Sequence, residues 1–338
     1  MHRIGQTIEE LNRARQQWLR LFDFLPSTPP ASPGSAPRLT EIAEFGANPG
    51  NLRLQVYVPD TRPKHPALVV VLHGCAQTPE QYERAADWCG LAAKEGFLVC
   101  YPLQRDANNG QSCFNWFSPR SRARDQGEAA SIRAMVAYLQ RQYEIDPVRI
   151  FITGFSAGGA MAAAILAAYP DVFEAGAVVA GLPVGIADSL PQAIEAMSQG
   201  DKRTGPEAAE SLRASAPPTT HWPRLLVWHG LGDDVVAPAN AGGLVRQWRH
   251  AQGLPAEPSS DQWLLEGHHQ CIWQDAEGRD AIEHDMVAGL GHMLPPQSTM
   301  TIARFFGLVP TGLVGQVLEK IKHLPDIRSL LPNPSPKP

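Results

Sequence analysis

Ser156 stands in Gly154-Phe155-Ser156-Ala157-Gly158, between the strand-like run RIFIT at residues 149–153 and a stretch of small residues, AGGAMAAAILAAY. A serine hydroxyl is a weak nucleophile. It becomes useful when a base takes its proton and a third group orients that base. A bare G-x-S-x-G says little, because Gly and Ser are common. Here a strand-like run leads directly into it and a helix-forming run leads directly out, the context a nucleophile elbow requires. The glycines let neighbouring backbones approach without a Cβ clash. The N-terminus of the following helix favours developing negative charge. The expected chemistry is acyl transfer through Ser156.

The base and its orienting acid should follow in the chain order Ser, Asp or Glu, His. His292, in Gly289-Leu290-Gly291-His292-Met293, comes just after the strand-like AIEHDMVAGL and can reach the elbow from a loop. His284 lies inside that strand and His323 in the tail, and both suit the role less well. Asp233 and Asp234 both follow the strand-like RLLVWHG, and the turn Gly230-Leu231-Gly232 can present either. Spacing does not choose between them, and Asp is also a common turn residue. The oxyanion of the intermediate needs two N–H donors, each worth about 3 kcal/mol. Ala157 supplies one candidate. Cys75, which ends Leu72-His73-Gly74-Cys75 after the run PALVVV, supplies the other, although His73-Gly74 also reads as a plain strand-ending turn. His268 and His269 with Cys271 suggest a metal by residue type. One strand face offers too few convergent ligands for that, so no metal and no cofactor are expected.

These residues need a frame that brings several strand ends to one edge. From Leu39 onward the chain alternates strand and helix patterns. LTEIAEF and LRLQVYV form an antiparallel opening pair, and PALVVVLHG is apolar throughout, as a buried parallel strand must be. Thr78-Pro79-Glu80-Gln81 combines an N-cap, a proline at the first helical position and a capping-box Gln. Asp125 with Glu128 should open a further helix that ends near Tyr143. Later strands are expected near Trp263 and Met286. The pattern predicts an α/β-hydrolase fold: a mostly parallel central sheet with helices on both faces.

The domain should span 39–308. Residues 182–222 interrupt the alternation with Pro, Ser and Ala and two short helical stretches; they read as an insertion, with a lid as its candidate role. Residues 1–25 form an amphipathic helix by apolar spacing, 26–38 a proline-rich linker, and 309–338 a tail. The N-terminal helix could dock on its own domain, on an identical subunit, or on a polymer granule.

Composition narrows the class. A net charge of −5 gives no footprint for nucleic acid. No apolar run approaches a membrane span, and the first residues lack the apolar core of a signal peptide. The default compartment is therefore the cytoplasm, where the five scattered cysteines would be mostly thiols.

The segments LVVVLHGCAQTPEQY, SCFNWFSP, IDPVRIFITGFSAGGAMAA, YPDVFEAGAVVAGLPVG, VWHGLGDDVVAPANA and GLGHMLP together resemble the polyhydroxybutyrate depolymerase family of esterases, to which feruloyl and acetylxylan esterases are related. They cover about residues 66 to 296. The resemblance implies a serine esterase with Ser156 as nucleophile, His292 as base, and Asp233 rather than Asp234 as acid. It implies Cys75 as an oxyanion donor through its backbone, and Trp116 as a lining of the substrate crevice, although a buried core aromatic would look the same. It also puts Cys75 and Cys113 near the site and within reach of pairing, whereas a cytoplasmic location would keep them reduced. The family often carries Trp directly after this second cysteine, where Phe114 stands here. The implied substrates are polyhydroxybutyrate or hydroxyalkanoate oligomers, with feruloyl or acetylxylan-type esters as the alternative and a non-catalytic granule-binding protein as the rival from another class.

Overall fold

The computed structural model describes residues 39–218, 221–265, 267–295 and 297–309. The expected N-terminal helix, the linker and nearly all of the tail lie outside these residues. Strands β1 (Thr40–Ile42), β2 (Arg53–Tyr57), β3 (Leu68–Leu72), β4 (Leu98–Leu103), β5 (Ile150–Phe155), β6 (Ala175–Val179), β7 (Arg224–Gly230), β8 (Ser260–Leu265), β9 (His268–Gln274) and β10 (Asp280–Val287) form one sheet. Its order is β1-β2-β4-β3-β5-β6-β7-β10-β9-β8. The six central strands from β4 to β10 run parallel, and antiparallel strands close both edges. This is the α/β-hydrolase architecture. Three late strands are present rather than the two expected near Trp263 and Met286, because HHQCIWQ forms β9 between them.

The helices are α1 (Pro79–Ala86), α2 (Trp88–Glu95), α3 (Pro119–Arg122), α4 (Gly127–Tyr143), α5 (Ala157–Ala168), α6 (Leu190–Gln199), α7 (Gly205–Ser215), α8 (Ala239–Gln252) and α9 (Ser298–Phe305). One sheet face packs on α4, α5, α7 and α8, through residues such as Met135, Met161, Leu212 and Trp248. The other packs on α1, α2 and α9, through Tyr82, Trp88 and Phe305. Parallel strands covered on both faces need apolar side chains throughout, and every residue of β3, β4 and β5 is buried.

The capping box at Thr78 forms as expected: Gln81 N–H donates to Thr78 Oγ1 and Thr78 N–H to Gln81 Oε1. The Asp125 start does not. Gln126 is the N-cap of α4 and makes no side-chain cap bond, while Asp125 has φ of 60°. Glu128 turns inward instead, for a reason that belongs to the site.

In the 182–222 segment, α7 is fixed to α8 by Gln247, whose amide donates to Val184 O and Ala208 O and accepts from Val184 N–H. The turn from β9 to β10 is built on Asp275, whose carboxylate accepts from the N–H groups of Glu277 and Arg279. Among the described residues, no helix is long and apolar enough to cross a membrane.

Candidate active site

Parallel strands in this sheet all end at one edge, so the loops after β3, β5, β7 and β10 converge there. The turn after β5 is tight. Ser156 adopts φ 56° and ψ −121°, a region costly to a residue with a side chain. The two flanking glycines explain how the turn closes. A Cβ on Gly154 would lie 2.3 Å from Gly158 O, and one on Gly158 would lie 2.3 Å from Leu72 O. Any side chain at either position would separate α5 from the ends of β3 and β5. Because Gly158 is bare, the first turn of α5 sits directly against the end of β3, where Cys75 follows. The N–H groups in that first turn have no partner within the helix.

The loops after β7 and β10 are tied together. Leu231 N–H donates to Val287 O and Gly232 N–H to Leu290 O, at 2.8 and 2.9 Å. A Cβ on Gly230 would lie 2.2 Å from Leu290 O, so this contact also requires glycine. The result brings Asp233 to His292. Nδ1 of His292 is 2.8 Å from Asp233 Oδ2, and Nε2 is 2.9 Å from Ser156 Oγ. A carboxylate on one side fixes the tautomer: Nδ1–H donates to Asp233, and Nε2 is free to accept from the Ser156 hydroxyl. Phe155 packs on the imidazole at 4.8 Å between ring centroids. Asp234 is exposed and stays outside this contact.

Asp233 is held by more than His292. Val235 and Val236 N–H groups donate to its Oδ1 at 2.9 and 2.8 Å. On its other oxygen sits His229 Nε2 at 3.1 Å, and that same nitrogen is 2.9 Å from Val236 O. Both neighbours are acceptors, so Nε2 of His229 carries the proton and donates. Burial by itself would raise the Asp233 pKa. The hydrogen bonds from His229 and His292, the charge of His292 and the Val236 N–H overcome it and hold the carboxyl well below its usual range. The sequence carried a signal for His229, immediately before the glycine-bearing turn, but gave it no role.

The loop that carries Cys75 rests on a buried polar network. Burial lowers the His73 pKa to about 4, so the ring is neutral. Its Nδ1–H donates to Gly74 O at 2.7 Å, and its Nε2 accepts from Gln104 N–H at 3.2 Å. Gln104 Nε2 in turn donates to Cys113 O and to Glu128 Oε1. Glu128 also accepts from the N–H and Nδ2 of Asn115. Burial pushes the Glu128 pKa up to about 6 against these bonds. Glu128 therefore anchors the Cys113–Asn115 loop instead of capping α4.

Cys75 and Cys113 form a disulfide, with Cα atoms 4.2 Å apart. The expectation of free thiols fails for this pair, because two segments far apart in sequence meet beside the elbow. Cys89, Cys100 and Cys271 are free and buried. Trp116 is 4% exposed and packs edge-on to Phe117 in the core. Phe114, at the position where Trp is frequent, is fully buried against His73.

A hydroxyl, an imidazole and a buried carboxylate in hydrogen-bonded series, at the strand ends of this sheet, are the arrangement found in serine hydrolases of the α/β-hydrolase fold. The chain belongs to the family described as Esterase PHB depolymerase, which it matches over residues 52–257. It is 38% identical over 265 residues to the poly(3-hydroxyalkanoate) depolymerase C of Paucimonas lemoignei, covering 78% of this chain and 64% of that protein. The chain thus spans a little under two thirds of that relative's length. It is 31% identical to feruloyl esterase B of Talaromyces funiculosus, covering 80% of this chain and 77% of that one. Among solved structures, the acetyl xylan esterase from Aspergillus awamori aligns with a TM-score of 0.74 at 26% identity, covering 82% of this chain and all of that one.

Proposed function

We propose that this esterase hydrolyses polyhydroxybutyrate or related hydroxyalkanoate oligomers through an acyl-enzyme on Ser156. The observation that carries the mechanism is His292 bridging Ser156 and Asp233. Nε2 of His292 takes the hydroxyl proton as Oγ attacks the ester carbonyl. The N–H groups of Cys75 and Ala157 receive the oxyanion, and His292 passes the proton to the departing alcohol. Water, deprotonated by His292, then attacks the acyl-enzyme and frees Ser156. Asp233 holds the imidazole in the required tautomer and stabilises its charged form. These steps call on no cofactor.

The polyester substrate is favoured by the 38% identity to a polyhydroxyalkanoate depolymerase, against 31% to a feruloyl esterase. It is also favoured by Leu231 and Met293, which are 48% and 50% exposed and adjoin the loops of Asp233 and His292. An apolar rim suits an aliphatic polyester better than a sugar-borne acetyl group. The Cys75–Cys113 bond supports an oxidising compartment in place of the cytoplasm suggested by composition.

A product assay comparing hydroxybutyrate oligomers, amorphous polymer, ethyl ferulate and acetylated xylan tests the substrate. The expected order puts the oligomers first. Preference for ferulate or acetylxylan would move the protein to the other branch of the family. Failure to turn over even a short-chain p-nitrophenyl ester would leave the non-catalytic granule-binding reading.

A further inference from the structure

The β8–β9 hairpin gathers a second set of reactive side chains that ester hydrolysis does not use. Its register sets Asp261 opposite Cys271 and Trp263 opposite His269. Directly opposed residues project to the same side of a sheet, and so do residues two apart on one strand. Asp261, His269 and Cys271 therefore share a face. Their ligand atoms all lie within 4.8 Å of one another. His269 Nε2 is 2.5 Å from Asp261 Oδ1, and Trp263 stacks on the imidazole at 4.7 Å, which fixes the plane of the ring. His268, the neighbour in sequence, points to the opposite face and pairs with Asp285 at 2.7 Å. The third donor thus comes from the adjacent strand, where no reading of one strand face would find it.

We propose that Asp261, His269 and Cys271 bind a zinc ion that clasps the β8–β9 hairpin at the edge of the sheet. The donor set selects the metal. Calcium and magnesium take oxygen ligands almost throughout. A thiolate with an imidazole and a carboxylate suits zinc, which binds these groups at about 2.0–2.3 Å in tetrahedral geometry. Solvent supplies the fourth ligand, since Asp261 is exposed. On binding, the His269–Asp261 hydrogen bond opens and the imidazole holds its one proton on the ring nitrogen that does not ligate; Zn–N, Zn–O and Zn–S bonds replace zinc–water bonds, and the Cys271 thiol proton leaves to solvent. Asp261, at the surface, makes the larger adjustment, while Cys271, buried at the base, is the fixed point.

The test is independent of the esterase reading. Chelator-treated protein is titrated with Co2+, whose thiolate charge-transfer band reports Cys271 directly, and Zn2+ is then added to displace it. The expected result is a band that saturates at one cobalt per chain and is bleached by zinc. Asp261→Asn and His269→Gln should each weaken binding by about tenfold or more, since loss of a direct ligand should cost at least what loss of an outer-shell partner does. Cys271→Ser should abolish the band. Asp261 lies at the surface, so its variant reports on ligation without disturbing the core, and circular dichroism confirms that each variant is folded. Absence of the band in the wild type would overturn the site. So would a band surviving Cys271→Ser, or affinity unchanged in both Asp261→Asn and His269→Gln.

Discussion

Among the described residues, an imidazole is paired with a carboxylate and a nucleophilic atom in two places, with opposite surroundings. At the strand ends, His292 and Asp233 are almost wholly buried, their side chains 3% and 0% exposed. On the hairpin, His269 and Asp261 are 22% and 59% exposed. Asp233 accepts from two backbone N–H groups and two histidines. Asp261 accepts from His269 on an open edge strand. Loading the buried carboxylate with donors keeps it charged and immobile, as orienting a general base requires. An exposed carboxylate beside a thiol retains the freedom to move onto a cation. The same imidazole–carboxylate pair thus takes different chemistry from burial, from the backbone that holds it, and from the third group beside it, a hydroxyl in one place and a thiol in the other.

The largest effect expected from breaking this contrast is at the elbow. Ser156→Ala should remove esterase turnover while leaving the thermal midpoint in place, and a serine-directed phosphonate should label Ser156 alone. Asp233→Asn should cost about 10⁴ in kcat, with Asp234→Asn close to wild type. The reverse ranking of the two aspartates, read from steady-state rates, would move the acid role.

His229 sharpens the comparison, because it is what the hairpin carboxylate lacks. His229→Leu should lower kcat by about tenfold, in line with losses at groups that orient a reactive ligand. It should also change the acid limb of stability. The folded pKa of Asp233 lies below its unfolded value, so Asp233 stabilises the fold above about pH 4 and loses that contribution as pH falls toward the folded pKa. Removing the His229 donor should make the loss between neutral and acid pH smaller, as seen in urea midpoints at the two pH values. An unchanged pH dependence would limit His229 to packing.

The disulfide ranks next. It closes a separation of 38 residues, so reduction should cost about 3–4 kcal/mol of stability. Activity at low temperature should change little, because the donor proposed at Cys75 is its backbone N–H. A collapse of turnover in reductant, with the fold intact by circular dichroism, would argue otherwise. Smallest of all should be the hairpin substitutions Asp261→Asn and His269→Gln, with p-nitrophenyl ester turnover within about twofold of wild type, as for surface changes away from the site. A larger loss would couple the two regions.

What could be read in the sequence was what is local. The strand, turn and helix around Ser156 lie within one short segment, and the capping box at Thr78 within four residues. The buried strands declare themselves by unbroken apolar runs. The parts that escaped depend on contacts between distant segments. Asp233 and Asp234 differ only in which one the Leu290 contact turns inward. Glu128 looks like a helix cap until the Asn115 loop is laid over it. Trp116 has the same letter whether it lines a crevice or fills a core. Cys75 and Cys113 look like scattered thiols until the two loops meet.

The turn from β9 to β10 has a practical consequence. It lies at the start of β10, whereas His292 follows the end of that strand, so the turn and the site face opposite ways. Its conformation is fixed by Asp275 and by Gly278 at φ 77°, and its tip is exposed. A peptide tag spliced at this turn, used to tether the enzyme to a bead or electrode, would leave the Ser156 edge pointing away from the support. Tethered catalyst prepared this way should keep its access to large, insoluble substrates, where attachment through random surface lysines would hide part of the population face down.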